Sequence, residues 1–541
     1  PADRQTEVVE RLGALLNVDA ASLNTQIAER RDQGFLLDGL PVATEVDADS
    51  AFRVAEQRAL LPGVQLQTDS VRQYLEGPLL SQILGYLGRI TPEQYQTVRR
   101  DGYRIDDVIG QTGVEQTYEK SLRGQAGTRF VEVDVNGAIM RELGRRDPDP
   151  GKNLRLTIDV NLQRDVTEVL RTSLGQSTYG AAIVMNPKTG EILSLVSLPS
   201  YDNNIFSRPV SERALAELLG NPGHPLLNHA IATNNPPGSV FKLVTGSAAL
   251  QEGIATRETE IHSPGVITVE DEQTGAPYYF YDYAPLGLMN FVRGLALSSD
   301  VYFYYLAGGY ERRGRQEFRG LDHNGRGDRL ATYARQFGFG EPLGIDLPSE
   351  ASGLVPTPQW KRTAKQQPWV LADTYFMGIG QGDVLATPLQ VLSMGAVVAN
   401  GGTLYRPQVV REIVDSAGRV VRPFRPEVIR EVSVDDTHLA LIREAMYHSV
   451  NDRDGAANSA KSDQIVIAGK TGTAEFGIID PATGKQITHG WFVGYAPYDD
   501  PQVAVVVFHQ LGGGAATAAP AARQILEHYF GLRPQHTSEV G

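Results

Sequence analysis

Pro236-Pro237-Gly238-Ser239-Val240-Phe241-Lys242 runs into Leu243-Val244-Thr245-Gly246-Ser247-Ala248-Ala249-Leu250. The prolines and glycine break the chain. After them Phe241, Val244, Ala248 and Ala249 recur at helical spacing until Gly253 closes the run. This pattern predicts a buried helix with Ser239 in its first turn. Lys242, three residues on, then lies beside Ser239. A serine hydroxyl is a poor nucleophile without a neighbouring base. A lysine can act as that base when burial and nearby cations lower its pKa. Free amide groups at a helix start can also stabilise an oxyanion. A capping serine with an incidental lysine is the plain alternative, because short motifs recur by chance. Against it, only Lys242 of the nine lysines has a serine three residues before it.

Two further segments toward the C-terminus carry chemistry-bearing residues. Ser298-Ser299-Asp300 precedes Val301-Tyr302-Phe303-Tyr304-Tyr305, a loop or helix start. A second serine there can shuttle a proton, and an acid can hold a lysine. An ordinary helix cap has the same look, and Ser200-Tyr201-Asp202 repeats the spacing elsewhere. Lys470-Thr471-Gly472-Thr473 follows an apolar run at 465–468, which places it on or at the end of a strand. Glycine there lets a ligand approach the backbone. Lysine and threonine can bind a carboxylate while an N–H faces the reacting carbonyl. Lys188-Thr189-Gly190 copies the motif in a hairpin turn, where glycine and polar residues are usual.

The strands around these segments define the architecture. Residues 154–158 read as a strand and 161–174 as a helix. Apolar runs at 181–185 and 191–196 flank Asn186-Pro187-Lys188-Thr189-Gly190, a hairpin. A helix-rich and loop-rich middle follows. Strands return at 465–468, 490–495 and 503–509, and a last helix covers 519–529. Strands at both ends of a helical middle predict an α+β fold, with one antiparallel sheet completed by the two ends of the domain.

The first part of the chain looks different. Helical spacing of Val8, Val9, Leu12, Leu15 and Leu16 predicts one or two helices over residues 1–30. Residues 63–68 alternate like a strand, and 79–87 look helical. Thr91-Pro92 reads as a capped helix start. A short helix should end near Arg123-Gly124. Residues 130–135 alternate, followed by the turn pair Asn136-Gly137. The charged, Pro/Gly-rich run 145–151 marks a domain boundary. We therefore expect an N-terminal domain at 1–152, a second domain carrying the three motifs at 153–532 and a C-terminal tail at 533–541.

Bulk properties narrow the function. The 541 residues exceed one small core. A net charge of −14 argues against a nucleic-acid binder and against a broad cationic membrane face. With no cysteine there is no disulfide, thiolate site or cysteine nucleophile. The ten histidines form no His-Glu-x-x-His pattern, and no Gly-x-Ser-x-Gly elbow surrounds Ser239, so neither a metal nor a Ser-His-Asp hydrolase is expected. No apolar run reaches the ~18 residues of a membrane span. The chain begins with Pro1 rather than Met, consistent with an upstream segment removed by processing or left out of the expressed chain.

The ordered set Ser-x-x-Lys, Ser-x-Asp, Lys-Thr-Gly is far more specific than its parts. Together with NPPGSVFKLVTGSAAL, GIDLPSEASGLVP, GIGQGDVLATPLQ, GKTGTAEFG and HGWFVGYAP, it resembles the transpeptidase domain of class B penicillin-binding proteins. DVIGQTGVEQTYEKSLRG and EVDVNG resemble their N-terminal pedestal, and the likeness covers about residues 60–530. Many class B members have Asn where this chain has Asp300. Asp there resembles the elongation-type, penicillin-binding protein 2 branch. An anionic Asp300 beside Lys242 and Lys470 favours charged lysines, which works against Lys242 as a base.

The resemblance implies a penicillin-binding, serine-transpeptidase fold and a cofactor-free peptidoglycan D,D-transpeptidase. Ser239 would attack the D-Ala-D-Ala carbonyl of a stem peptide, and Lys242 would take its proton. Ser298 would relay a proton to the leaving amine, with Asp300 positioning Ser298 and the lysines. Lys470, Thr471 and Thr473, around Gly472, would hold the terminal carboxylate, and the N–H groups of Ser239 and Thr473 would form the oxyanion hole. It also implies covalent inhibition by β-lactams, an upstream membrane anchor at the extracytoplasmic face, a SEDS-family glycan polymerase partner and elongation scaffold proteins. The rivals are a division-type transpeptidase, a β-lactamase or carboxypeptidase, and a non-catalytic wall-synthesis scaffold.

Overall fold

The computed structural model describes residues 4–532, apart from 33–41, 44–45, 69–70, 106, 134–138, 209, 271–274, 313–314, 324–327 and 480–485. The chain forms two compact units, residues 1–72 and 73–541. In the first, α1 (Gln5–Leu16), α2 (Ala20–Asp32) and α3 (Ala48–Glu56) follow one another. Asp47 caps α3 by accepting from Ser50 N at 2.9 Å. Leu12, Val54 and Leu61 make a small core. The helical spacing seen in the sequence is α1. The alternating run at 63–68 is not a strand. Alternation supplies two faces, but a strand also needs a ladder partner, and none lies beside it among the described residues.

The second unit begins with α4 (Gly77–Leu84), β1 (Leu87–Arg89), α5 (Pro92–Val98), β2 (Val108–Gly110), α6 (Gly113–Thr117) and α7 (Glu119–Leu122). The helix anticipated through residue 87 stops at Gly85, whose φ of 75° leaves the helical region. The chain turns there into β1, which pairs with β2. Thr91 and Gln94 form a reciprocal capping box at α5. Strands β3 (Thr128–Val133) and β4 (Ile139–Arg146) pair antiparallel. The Asn136-Gly137 turn between them lies outside the described residues, as does the tail at 533–541.

Next come β5 (Asn153–Leu156), α8 (Val160–Ser173), β6 (Gly180–Met185), β7 (Ile192–Leu198), α9 (Lys242–Gln251), β8 (Val266–Glu270) and β9 (Pro277–Tyr281). They are followed by α10 (Phe291–Ala296), α11 (Asp300–Gly308), α12 (Asp328–Gln336), α13 (Pro388–Asn400) and α14 (Asp436–Asn451). The unit ends with β10 (Ala468–Ile479), β11 (Gln486–Ala496), β12 (Val503–His509) and α15 (Ala519–Tyr529). The main sheet has the order β10-β11-β12-β6-β7, antiparallel throughout. Its two halves come from opposite ends of this region, as the strand pattern anticipates.

Both faces of this sheet are covered, which explains why its strands read as continuous apolar runs. Ala181, Ile183 and Met185 face one core with Ala504, Val506 and Phe508, and α9 and α13 contribute to it. Ala182 and Val184 face the other with Val505 and Val507, under α8 and α15. All seven residues of β12 are buried. At ~1.5–3 kcal/mol per fully buried large apolar side chain, this is the rigid layer on which the sheet edge β10 rests.

Candidate active site

Gly238–Phe241 form a 3₁₀ turn that runs directly into α9. Gly238 has φ 58°, and a Cβ on it would lie 2.9 Å from the Thr473 carbonyl oxygen on β10. Glycine is therefore required here for both backbone angle and close approach. Gly238 N donates to Gly380 O at 2.8 Å, and Trp491 Nε1 donates to Pro236 O at 2.9 Å, so the turn is tied down on two sides. Ser239 is half-buried at its tip. Lys242 is fully buried one turn on. Its Nζ donates to Ser298 O (2.7 Å), Asp300 Oδ1 (2.6 Å) and Ser298 Oγ (3.3 Å). Three acceptors meet the three donors of an ammonium. Lys242 is thus aimed at the middle motif.

That motif is a helix start, as its spacing allows, but the cap is Ser299, which accepts from Tyr302 N at 3.2 Å. Ser298 precedes it with φ 61°. This left-handed turn sends both its carbonyl and its hydroxyl toward the lysines. Lys470 Nζ donates to Ser298 Oγ at 2.7 Å and to Thr471 O at 2.9 Å. One hydroxyl therefore bridges two buried amines. Asp300 opens α11 and closes the ion pair with Lys242. The Tyr304 phenol, one turn further, is pushed up by burial first and by the Asp300 charge second.

Lys470-Thr471-Gly472-Thr473 sits inside β10, paired with Val493, Phe492, Trp491 and Gly490. The apolar run at 465–467 is not part of the strand, which begins at Ala468. Pairing with β11 fixes that start, so the motif is held along its length rather than at a strand end. Lys470 is fully buried, and its pKa lies well below the usual lysine value. Burial is the main cause and the Lys242 charge the second, with Asp300 opposing both. A Cβ on Gly472 would stand 2.8 Å from Pro237 O and 3.1 Å from Val240 Cγ1, so glycine lets the serine turn press against the edge strand. Thr471 is buried and donates to Ala456 O at 3.3 Å, whereas Thr473 is exposed and accepts from Gly514 N at 3.3 Å. Lys188-Thr189-Gly190 forms the turn between β6 and β7, where Lys188 pairs with Asp500 on the surface.

The structure thus brings Ser239, Lys242, Ser298, Asp300, Lys470, Thr471, Gly472 and Thr473 to one place. It adds Asp282, a buried acid that accepts from the Ser299 hydroxyl. Nothing in its local sequence marks it, since its partners lie in distant segments. Among the described residues no three His, Asp or Glu side chains gather as metal ligands.

A half-buried serine on a helix start, two buried lysines sharing a second serine, and an edge strand with a recessed glycine make an acyl-transfer site of the active-serine class. Residues 180–527 match the penicillin binding protein transpeptidase domain and residues 1–156 match the penicillin-binding protein dimerisation domain. The chain belongs to the penicillin-binding protein transpeptidase family. It is 33% identical over 496 residues to the peptidoglycan D,D-transpeptidase MrdA of Acinetobacter baumannii, covering 90% of this chain and 70% of that protein. Among solved structures it resembles PBP2 in the PBP2–MreC complex of Helicobacter pylori, with TM-score 0.79, 25% identity, and 98% and 92% of the two chains covered. It also resembles a chain of a peptidoglycan synthase complex described as coordinating polymerization and crosslinking, with TM-score 0.71, 31% identity, and 94% and 86% covered.

Proposed function

We propose that this chain is a peptidoglycan D,D-transpeptidase of the elongation type that works through an acyl-enzyme on Ser239. The observation that carries the reading is the Ser298 hydroxyl held between Lys242 and Lys470. Ser239 Oγ attacks the carbonyl of the penultimate D-Ala of a stem peptide. The C–N bond breaks, an ester forms, and D-Ala leaves with a proton. Lys470, held toward its neutral form, can accept the Ser298 proton while Ser298 takes one from Lys242. Lys242 is then the neutral amine that receives the proton of Ser239. Ser298 passes its proton to the leaving nitrogen and is refilled by the proton that Lys242 took from Ser239. An amine of a second stem peptide attacks the ester, and Ser239 regains its proton. Thr471 and Thr473 bind the terminal carboxylate, and the N–H groups of Ser239 and Thr473 receive the oxyanion.

The likeness to MrdA and to PBP2 bound to MreC supports an elongation role with a scaffold partner. The likeness to a synthase complex supports a glycan polymerase partner. Residues 1–152 serve as the pedestal and 153–532 as the transpeptidase domain. No helix among the described residues is long and apolar enough to cross a membrane. The catalytic unit acts at the extracytoplasmic face, anchored by a helix upstream of this chain.

The test is intact-protein mass after incubation with benzylpenicillin, followed by peptide mapping. One stable adduct on the Ser239 peptide, absent from Ser239→Ala, is expected. An adduct on Ser239→Ala would sink the assignment. Hydrolysed penicillin with no lasting adduct would point to a β-lactamase, and intact penicillin with no adduct to a scaffold.

A further inference from the structure

We infer that Asp282 is a positioning residue of this reaction, holding the start of α11 so that Ser298 and Asp300 face the two lysines. The inference rests on the transpeptidase reading. The Asp282 carboxylate is buried and meets five donors. Its Oδ2 accepts from Ser263 Oγ (2.9 Å), Ser299 Oγ (2.5 Å) and Val301 N (3.3 Å). Its Oδ1 accepts from the N–H groups of Asp300 (3.1 Å) and Tyr283 (3.1 Å). A carboxylate offers about four lone-pair sites, so this one is fully used. It gathers residue 263, its own segment and the 299–301 turn on one side chain.

The anchor is itself fixed. Asp282 directly follows β9, where Phe280 inserts into the core with its ring 5.4 Å from Tyr304 and 4.9 Å from Tyr375. Asp282 N donates to Gly265 O at 2.9 Å, extending the antiparallel pairing of β8 with β9. The held segment needs such a support. Ser298 is in the left-handed region, which is strained for a non-glycine residue and persists only where neighbours over-determine it. Ser299 carries the link, donating to Asp282 while it accepts from Tyr302 N. Asp300 is gripped by its amide from one carboxylate, which leaves its own carboxylate to take Lys242.

A plain helix cap would explain part of this, and the molecule contains a comparison. Asp322, also buried, accepts from Arg329 N (3.4 Å) and Leu330 N (3.2 Å) at the start of α12. It touches none of the site residues among the described contacts. The experiment measures benzylpenicillin acylation of the full chain, separating the binding constant from the first-order acylation constant, with melting temperature alongside. Asp282→Asn keeps one acceptor oxygen and should slow acylation about tenfold. Asp282→Ala should slow it about 100-fold, the scale of an ångström-sized misplacement, with binding within about threefold of the parent. Asp322→Asn should lower the melting temperature and leave acylation unchanged.

If both Asp282 variants acylate at the parent rate, or if Asp322→Asn slows acylation equally, the inference fails. Should Asp282→Asn not fold, Ser299→Ala breaks the same link, and a normal acylation rate in it overturns the proposal. A parent protein that is never acylated overturns the transpeptidase reading and this one with it. Normal acylation of the parent and of both Asp282 variants overturns this one alone.

Discussion

Lys470 is the residue whose environment most constrains the chemistry. It is fully buried, beside a second lysine, with Ser298 as its only side-chain partner among the described residues. A lysine whose folded pKa is depressed releases its proton on folding. Between that folded value and about 10.5 the unfolded chain binds the proton and the folded chain does not, so stability rises with pH through this window. Lys470→Met should therefore be more stable than the parent at pH 7. The difference should shrink toward pH 10.5 in melting curves recorded across that range. The same variant should lose roughly 10²–10⁴-fold in acylation rate, the usual weight of acid–base groups. The three motifs were legible in the sequence because covalent chemistry needs fixed residue types at short spacings. Asp282 was not legible, because its five donors arrive from residues 263, 283 and 299–301, and only folding assembles them.

Strand β12 is the central strand of the main sheet and ends in His509. Its ring nitrogens meet Ser173 Oγ at 3.0 Å and Thr517 Oγ1 at 2.9 Å, and burial pushes its pKa down to about 4. Above pH 6.5 the ring is neutral in both folded and unfolded chains. As pH falls from 6.5 to about 4 only the unfolded chain takes up the proton, so folding stability is lost across that window. The loss is roughly 3 kcal/mol at 1.36 kcal/mol per unit. Chemical denaturation at pH 7, 5.5 and 4.5 should show it, and His509→Gln should flatten the slope. Strands flanked on both faces by helices were easy to read, as at 181–185 and 503–509. Residues 63–68 show the opposite case, where a good period-2 pattern has no ladder to join. Apolar character alone carries β10 back to residue 465, but its start at Ala468 is set by pairing with β11, more than a dozen residues later.

Taken whole, the chain separates into residues 1–72 and 73–541 by packing, while the dimerisation-domain match runs to residue 156. The reason lies in side chains: Ile83, Val114 and Tyr118 sit in the same core as α9 and α11. Tyr118 also donates to Asp346 Oδ2 at 2.7 Å. A charged, proline-rich run marks a change of composition, but it does not stop apolar groups before it from packing on those after it. A chain beginning at residue 73 should keep the parent's benzylpenicillin acylation rate within about threefold, because every residue of the site and its support lies in that unit. One beginning at residue 153 should melt at least several degrees lower, having lost part of the shared core. The sheet order carries a last implication for biosynthesis. Val505 pairs with Val184 more than 300 residues away, and Lys470 lies on the edge strand of that late-made half. Synthesis from the N-terminus therefore delivers Ser239 long before Lys470 and its edge strand. High contact order makes such closure slow. A nascent chain holding Ser239 without β10 lacks part of the site, so acylation during synthesis should begin only once the chain has passed β10.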